Sequence, residues 1–357
     1  MNRLGERLAA EIAANGPISV ADYMQRCLHD PQDGYYATRP ALGADGDFIT
    51  APMVSQMFGE LIGLWAVETW RRMGSPSSFV LVELGPGEGA LMSDLLRAAR
   101  LDPAFVAAAR LYLVETSEPL IERQRLALNN APLSPTWVSR VQDLRADAPI
   151  ILVANEFLDC LPARQFVRTD RGWAERCVGL GDDDGLAFGL RPAVKPPSLP
   201  DDADIDVVWE CVDAQAALGA ELGERIAQQG GAALLIDYGR DAPGPGDTLQ
   251  ALSKHQKVDP LADPGVADLT VWADFPAVLA AARKHAQTTA ILSQGSFLQR
   301  LGVRERAAAL SKARPDRAET IQRQLARLTK ANEMGTLFKA CAVHAPGLTL
   351  PGFEDAA

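Results

Sequence analysis

Two short stretches hold the residues best suited to chemistry. In the first, "VELGPGEG" (82–89), Glu83 precedes Gly85, with Gly87 and Gly89 at alternate positions after it. Glycines that follow a strand let backbone N–H groups approach a ligand at the N-terminus of the next helix. The run GPGEGA also satisfies the permissive G-x-G-x-x-G/A dinucleotide pattern, so the glycines alone do not choose the ligand. Glu83 discriminates. A carboxylate there repels a pyrophosphate but can hold an ammonium group, by a charge-assisted bond contributing about 1.5–3 kcal/mol.

Glu115 closes a later apolar run, where a carboxylate can accept hydrogen bonds from both hydroxyls of a ribose. It lies 30 positions after Gly85, farther than the spacing of about 20 usual in dinucleotide folds. Asp143 beside Leu144 pairs an acid with an apolar side chain, which suits an adenine amino group and ring face. A ligand with an ammonium, a ribose and an adenine but no phosphate is S-adenosylmethionine. Glu83, Gly85, Gly87, Gly89, Glu115 and Asp143 are its expected contacts.

The second stretch, "ILVANEFLDCLP" (151–162), ends an apolar run and brings Asn155, Glu156 and Asp159 together. Loops at the carboxyl ends of strands in a doubly wound sheet line the ligand crevice, so Asn155 is expected beside the cofactor. Two carboxylates in that crevice can grip a guanidinium in a bidentate fork and orient one nitrogen for in-line methyl transfer. Because an arginine stays charged far above neutral pH, its reacting nitrogen must be held in place and shed a proton as the new bond forms. Glu156 and Asp159 are therefore the expected catalytic pair. His255, in the Pro/Gly-punctuated stretch "HQKVDPLADPGVADLT" (255–270), is a further candidate proton acceptor, although a lone loop histidine more often serves local hydrogen bonding.

These residues need a scaffold. Short apolar runs at 79–84, 110–115, 149–154 and 232–237 alternate with helical stretches at about 90–100, 118–129 and 275–285. Residues 136–142 and 287–292 are weaker strand candidates, and 335–345 fits an edge strand. Continuous apolar strands between helices indicate an α/β fold, a mostly parallel sheet covered on both faces. Residues 1–75 read as a separate helical segment, with helices at 2–14, 19–29 and about 54–72. Within it, "GADGDFITAPMVSQ" (43–56) is rich in turn residues yet holds Phe48, Ile49 and Met53, so it is expected to close over the cofactor with Thr50 beside it.

The remainder, 76–357, is expected to form the core with two insertions. One runs from about 166 to 230 and contains a hairpin region and a helix near 212–228. The other, 295–331, is helical, with Ile321, Leu325 and Leu328 as a packing stripe and a basic face of Arg314, Arg317, Arg323, Arg327 and Lys330.

Composition narrows the classes further. With 47% hydrophobic and 23% charged residues, the chain of 357 residues has the makeup of a globular protein. A net charge of −11 argues against sequence-independent binding to nucleic acid and favours a cationic partner, such as an arginine or lysine side chain. Five scattered cysteines and four dispersed histidines match neither a disulfide framework nor a metal site, so no metal is expected. No run approaches the length of a membrane span, and the acidic residues Glu6 and Glu11 disfavour a signal or transit peptide. A cytoplasmic protein is expected.

With these stretches assembled, the chain resembles the MidA family of S-adenosylmethionine-dependent methyltransferases, which includes a mitochondrial protein arginine methyltransferase that assists respiratory complex I assembly. The likeness lies in "GDFITAPMVSQMFGELIG" (46–63), "VELGPGEG" (82–89), "NEFLDCLPARQF" (155–166), "LLIDYG" (234–239) and "DPGVADLTVWADF" (263–275). "QGSFLQRLG" (294–302) and "MGTLFKACAV" (334–343) extend it over nearly the whole chain. The resemblance implies a class I methyltransferase fold, cofactor contacts at Gly85, Gly87 and Glu115, and methylation of a protein arginine, with a complex I subunit as the family's substrate. Two other classes stay open: a non-catalytic assembly chaperone that binds the cofactor structurally, and, disfavoured by Glu83, an NAD-dependent oxidoreductase.

Overall fold

The apolar runs become the strands of one central sheet. In the computed structural model, which describes residues 1–38, 50–182, 185–253 and 256–354, its principal strands are β1 (Phe79–Leu84), β2 (Ala109–Val114), β3 (Thr136–Val138), β4 (Ile150–Asn155), β5 (Gly231–Arg240) and β6 (Phe338–His344). Their order is β6-β5-β4-β1-β2-β3. Neighbours are parallel except β6, which runs antiparallel to β5. Every residue of β1, β4 and β5 is buried, as expected of strands covered on both faces.

The longer helices are α1 (Arg3–Asn15), α2 (Val20–His29), α3 (Gln56–Arg72), α4 (Ala90–Ala99), α5 (Glu118–Ala127), α6 (Asp213–Gln229), α7 (Phe275–Ala282), α8 (Gln294–Arg300), α9 (Val303–Ala313) and α10 (Ala318–Thr329). Alternation along β1 divides the core. Phe79 and Leu81 pack with Phe58, Trp65 and Leu95 of α3 and α4. Val80 and Val82 pack with Leu222 of α6 and Val278 of α7 on the opposite face. The sheet is doubly wound, as the sequence pattern indicates. Several helix starts are also legible locally: Ser19 caps α2 by accepting from Asp22 N–H, Ser55 caps α3, and Ser117 caps α5.

A second core joins the two ends of the sequence pattern that looked separate. Strands 164–169, 172–180, 186–192 and 208–211 form an antiparallel sheet, and Ile18–Ser19 pairs with Val178 and Cys177 of its longest strand. Leu4 and Leu8 of α1 and Tyr23 and Met24 of α2 pack into the same cluster as Val178, Val212 and Leu269.

Three local expectations differ. The helix grouped with the first insertion is α6, which covers the central sheet instead. The weak run 136–142 is a strand only to Val138, and the chain then turns through a 3-10 helix at Val141–Asp143. The run 287–292 gives only two short pairings, at 287–288 and 292–293, against the outer edge of β6. In the helical region after α7, Ile321 and Leu328 are buried, Ile321 against Met57 and Ala307, so the stripe is core packing. Among the described residues, no helix is long and apolar enough to cross a membrane.

Candidate active site at the carboxyl ends of the strands

Register brings the acidic residues to one edge of the sheet. Leu84 pairs with both Val114 and Ala154, and Asn155 with Ile236, so Glu83, Glu115 and Glu156 sit at or next to the carboxyl ends of adjacent strands, with Asp237 of β5 at the same level. A cavity of about 650 Å3 opens there, within the range of small-molecule sites. Glu83, Gly85, Gly87, Glu115, Thr50, Asn155, Glu156 and Asp159 all line it.

The glycine loop is built for close approach. Gly85 has φ of 58°, and a Cβ there would come within 2.7 Å of the Phe157 ring. Glu83 lies buried beneath the loop, and its Oε2 has no hydrogen-bond partner among the described residues. Burial pushes its carboxyl up to about 8, with the Met92 backbone amide opposing and the charge of Glu115 adding. A buried carboxylate oxygen without a partner costs free energy until a donor reaches it. The ammonium of S-adenosylmethionine is such a donor, so the site fits that cofactor.

Glu115 is held in place. Its Oε1 accepts from the backbone N–H of Thr116 and of Ser117, both at 2.8 Å, and its Oε2 accepts from Gln124 Nε2 at 3.1 Å. Burial raises its carboxyl above the ordinary range, with those donors opposing. Gln124 is fully buried, and its Nε2 also donates to Gly87 O at 2.8 Å. One side chain therefore ties the glycine loop to Glu115.

Asn155 Nδ2 donates to Glu156 Oε1 at 3.0 Å, and Asn155 Oδ1 is buried without a partner among the described residues. Glu156 has φ of 52°, a left-handed conformation that a glutamate adopts only when its surroundings hold it there. Its N–H donates to Ile236 O at 2.8 Å, and its Oε1 accepts from Ala51 N–H at 2.9 Å. Burial pushes its carboxyl up to about 7, with the Ala51 amide opposing and the charge of Asp159 adding. Asp159 is also buried and raised by desolvation, while the Tyr238 hydroxyl donates to its Oδ2 at 2.6 Å and opposes the rise.

Two expected contacts lie elsewhere. Gly89 does not line the cavity. It caps α4 in the left-handed region, where a Cβ would stand 3.3 Å from Ala127 of α5, so its role is helix packing. Asp143 is exposed and paired with Arg140 at 3.0 Å, because buried Val141 and Leu144 take the inner positions of the turn. Ser139 and Arg140 line the cavity at that point instead. His255, Phe48 and Ile49 lie outside the described residues.

The sequence reading missed residues that reach the cavity from a distance. Tyr36 and His29 line it, with ring centroids 5.5 Å apart. The Tyr36 hydroxyl donates to Asp268 Oδ1 at 3.3 Å, and Ser117 Oγ donates to Tyr36 O at 2.6 Å. Asp237 and Tyr238 were visible only as the end of "LLIDYG". Among the described residues, no group of three or more His, Cys, Asp or Glu side chains is arranged to hold a metal ion.

Comparison with known proteins agrees with this geometry. Residues 61–293 match the family model Methyltransf_28, S-adenosyl-L-methionine-dependent methyltransferase. The chain is 35% identical to "Protein arginine methyltransferase NDUFAF7, mitochondrial" of Rattus norvegicus, over 98% of this chain and 90% of that protein. It is 35% identical to the NDUFAF7 homolog of Drosophila melanogaster, over 97% of this chain and 85% of that protein. A Burkholderia thailandensis protein of methyl transferase type, crystallised bound to S-adenosyl-homocysteine, superposes with a TM-score of 0.83 at 28% identity, covering 99% of this chain and 93% of that one.

The mitochondrial relatives overturn the cytoplasmic expectation. Glu6 and Glu11, on which it rested, belong to α1, whose Leu4, Leu8 and Ile12 are buried in the second core. Their charge reports the exposed face of a structural helix rather than an address. Over most of its length, the chain belongs to the Methyltransf_28 family of S-adenosyl-L-methionine-dependent methyltransferases.

Proposed function

We propose that this methyltransferase acts on the guanidinium of an arginine presented by a protein, and that the acceptor is a subunit of respiratory complex I. One observation carries the reading. Half-buried Glu156 and buried Asp159 are carboxylates facing the same cavity as Glu83 and Glu115, and no ion pair among the described residues involves either of them. The charge of Arg327 reaches Glu156 without forming an ion pair, so two acids with no cation in contact suit a substrate that brings one. The names of the relatives, protein arginine methyltransferases, support an arginine of a protein as the acceptor.

When bound, S-adenosylmethionine supplies a methyl group on a sulfonium whose sulfur departs neutral. The protein's task is then alignment and charge. Glu83 holds the ammonium and Glu115 the ribose. Glu156 and Asp159 divide the guanidinium fork, hold one nitrogen in line with the methyl group and localise its lone pair. Methylation of a guanidinium releases one proton, and Glu156 is the carboxylate placed to accept it.

The test is mass spectrometry of arginine-methylated peptides from cells with and without this protein. The expected result is an arginine of a complex I subunit whose methylation disappears with the protein and is restored in vitro by the purified chain and S-adenosylmethionine. Loss of complex I without any arginine mark lost would overturn the reading in favour of an assembly chaperone.

A further inference from the structure

We propose that Asp237 and Tyr238, neighbours in β5, are positioning residues of the acceptor clamp: Asp237 fixes the backbone that carries Glu156 and Asp159, and the Tyr238 hydroxyl orients Asp159 and favours its charged form. The proposal rests on the reading of Glu156 and Asp159 as that clamp.

Asp237 has no exposed surface. Its Oδ2 accepts from the backbone N–H groups of Phe157 at 3.0 Å, Leu158 at 2.8 Å and Asp159 at 3.2 Å. Its Oδ1 accepts from the N–H of Tyr238 at 2.8 Å. A carboxylate offers about four acceptor sites, and the backbone takes as many here, so Asp237 is occupied as an anchor and is not a third arm of the clamp. Its grip explains how Glu156 keeps φ of 52°: the residues on its C-terminal side are tied to β5, and its own N–H is tied to Ile236 O.

Tyr238 completes the arrangement. Its ring packs edge-on against Phe338 with centroids 5.4 Å apart, so packing fixes the ring while the hydroxyl reaches Asp159 Oδ2 at 2.6 Å. Glu156 Oε1 is committed to Ala51 and Asn155 in the same way. Glu156 Oε1 and Asp159 Oδ2 are thus committed to the protein, and a guanidinium fork would engage the acceptor capacity that the two acids retain.

The electrostatic surroundings make the hydroxyl matter. Asp237 and Tyr238 face Asp159 from β5, Glu156 and Cys160 from its own loop, Tyr36 from the N-terminal segment and Asp268 from the strand 268–270. None of these is a cation. Apart from the backbone amides beside it, Tyr238 is the donor that favours the ionised form of Asp159.

The experiment uses the full-length protein, saturating S-adenosylmethionine and a peptide carrying the arginine identified by the mass spectrometry above, with kcat/KM followed against pH. Tyr238→Phe keeps the ring and removes the donor. The acid limb carries two steps, Glu156 above and Asp159 below, and the lower step is expected to move up by about one pH unit, with the rate recovering to within about twofold of wild type at high pH. Asp237→Asn is expected to raise the peptide KM by about tenfold or more while cofactor affinity stays within about twofold. An unshifted lower step in Tyr238→Phe, whether the rate is unchanged or uniformly lower, would overturn the role of Tyr238. Unchanged peptide KM in a folded Asp237→Asn protein would overturn the role of Asp237. If Asp159→Asn also reacts at the wild-type rate, the clamp reading fails, and the two failures are told apart.

Discussion

Gln124 Nε2 stands 2.8 Å from Gly87 O and 3.1 Å from Glu115 Oε2, so one buried amide from α5 holds both halves of the cofactor site. Its Oε1 accepts from Trp137 Nε1 at 2.7 Å, which fixes the orientation of the amide. Glu115→Ala is expected to weaken S-adenosylmethionine binding by about tenfold or more, because the acceptor of the ribose hydroxyls is lost. Gln124→Leu removes the tie without touching the ligand and is expected to weaken binding by a smaller factor, about threefold to tenfold. Calorimetry measures both. Wild-type affinity in Glu115→Ala would remove that residue from the site.

Glu83 predicts a pH dependence with a definite sign. Its carboxyl in the folded, ligand-free protein is raised to about 8. The folded state therefore binds a proton more tightly than the unfolded chain, and that contribution to stability is full below the ordinary carboxylate range and lost as pH rises through about 8. An ammonium at Glu83 favours the ionised form, so cofactor affinity should rise between about pH 6.5 and about pH 8.5. Glu83→Gln should flatten that rise and lower affinity at the upper end by about tenfold or more. A wild-type affinity that is constant across this range would refute the pairing.

The glycine loop and the clamp are coupled through one contact. A Cβ at Gly85 would stand 2.7 Å from Phe157 Cδ2, at a backbone φ of 58°. Gly85→Ala should therefore destabilise the protein by about 1–3 kcal/mol and displace the ring that precedes Leu158 and Asp159. Phe157→Leu, which clears the nearest ring atoms, should recover part of the melting temperature in the double variant but not the strain of the backbone. Full additivity of the two substitutions in thermal denaturation would show that they do not interact.

Much of this site is written locally. The run 79–84 is a strand from end to end, and the acids at its end and beyond the next strand, Glu83 and Glu115, both line the cavity. Glu156 and Asp159 follow β4 in the same way. What failed was the choice of face within short turns. Asp143 and Leu144 are adjacent, but a 3-10 turn buries Leu144 and leaves the acid in solvent. Gly89 fits the glycine spacing yet serves the contact of α4 with α5. The residues missed outright depend on contacts across the chain. Tyr238 meets Asp159 over 79 positions, and Tyr36 meets Ser117 over 81. Periodicity reports which face of an element is buried, not which distant element covers it.

The clamp itself gives the last prediction. A guanidinium is held only by ionised carboxylates, and burial raises the Glu156 carboxyl to about 7 in the ligand-free protein, with the charge of Arg327 opposing. Below that value the free enzyme carries a proton that substrate must displace, so kcat/KM for an arginine peptide should fall as pH drops through about 7, with a proton released on binding. Glu156→Gln nearly preserves shape, removes the charge and deletes that ionisation. Turnover should fall by about tenfold or more while cofactor affinity survives, and the limb at about 7 should vanish. A lysine in place of the acceptor arginine should react poorly, because an ammonium cannot span a planar fork. Steady-state methylation with both peptides, from about pH 6 to about pH 9, reads all three effects. If Glu156→Gln and Asp159→Asn both methylate arginine at the wild-type rate, the acceptor is held elsewhere in the cavity, and Asp268 beside Tyr36 is the next acid to replace.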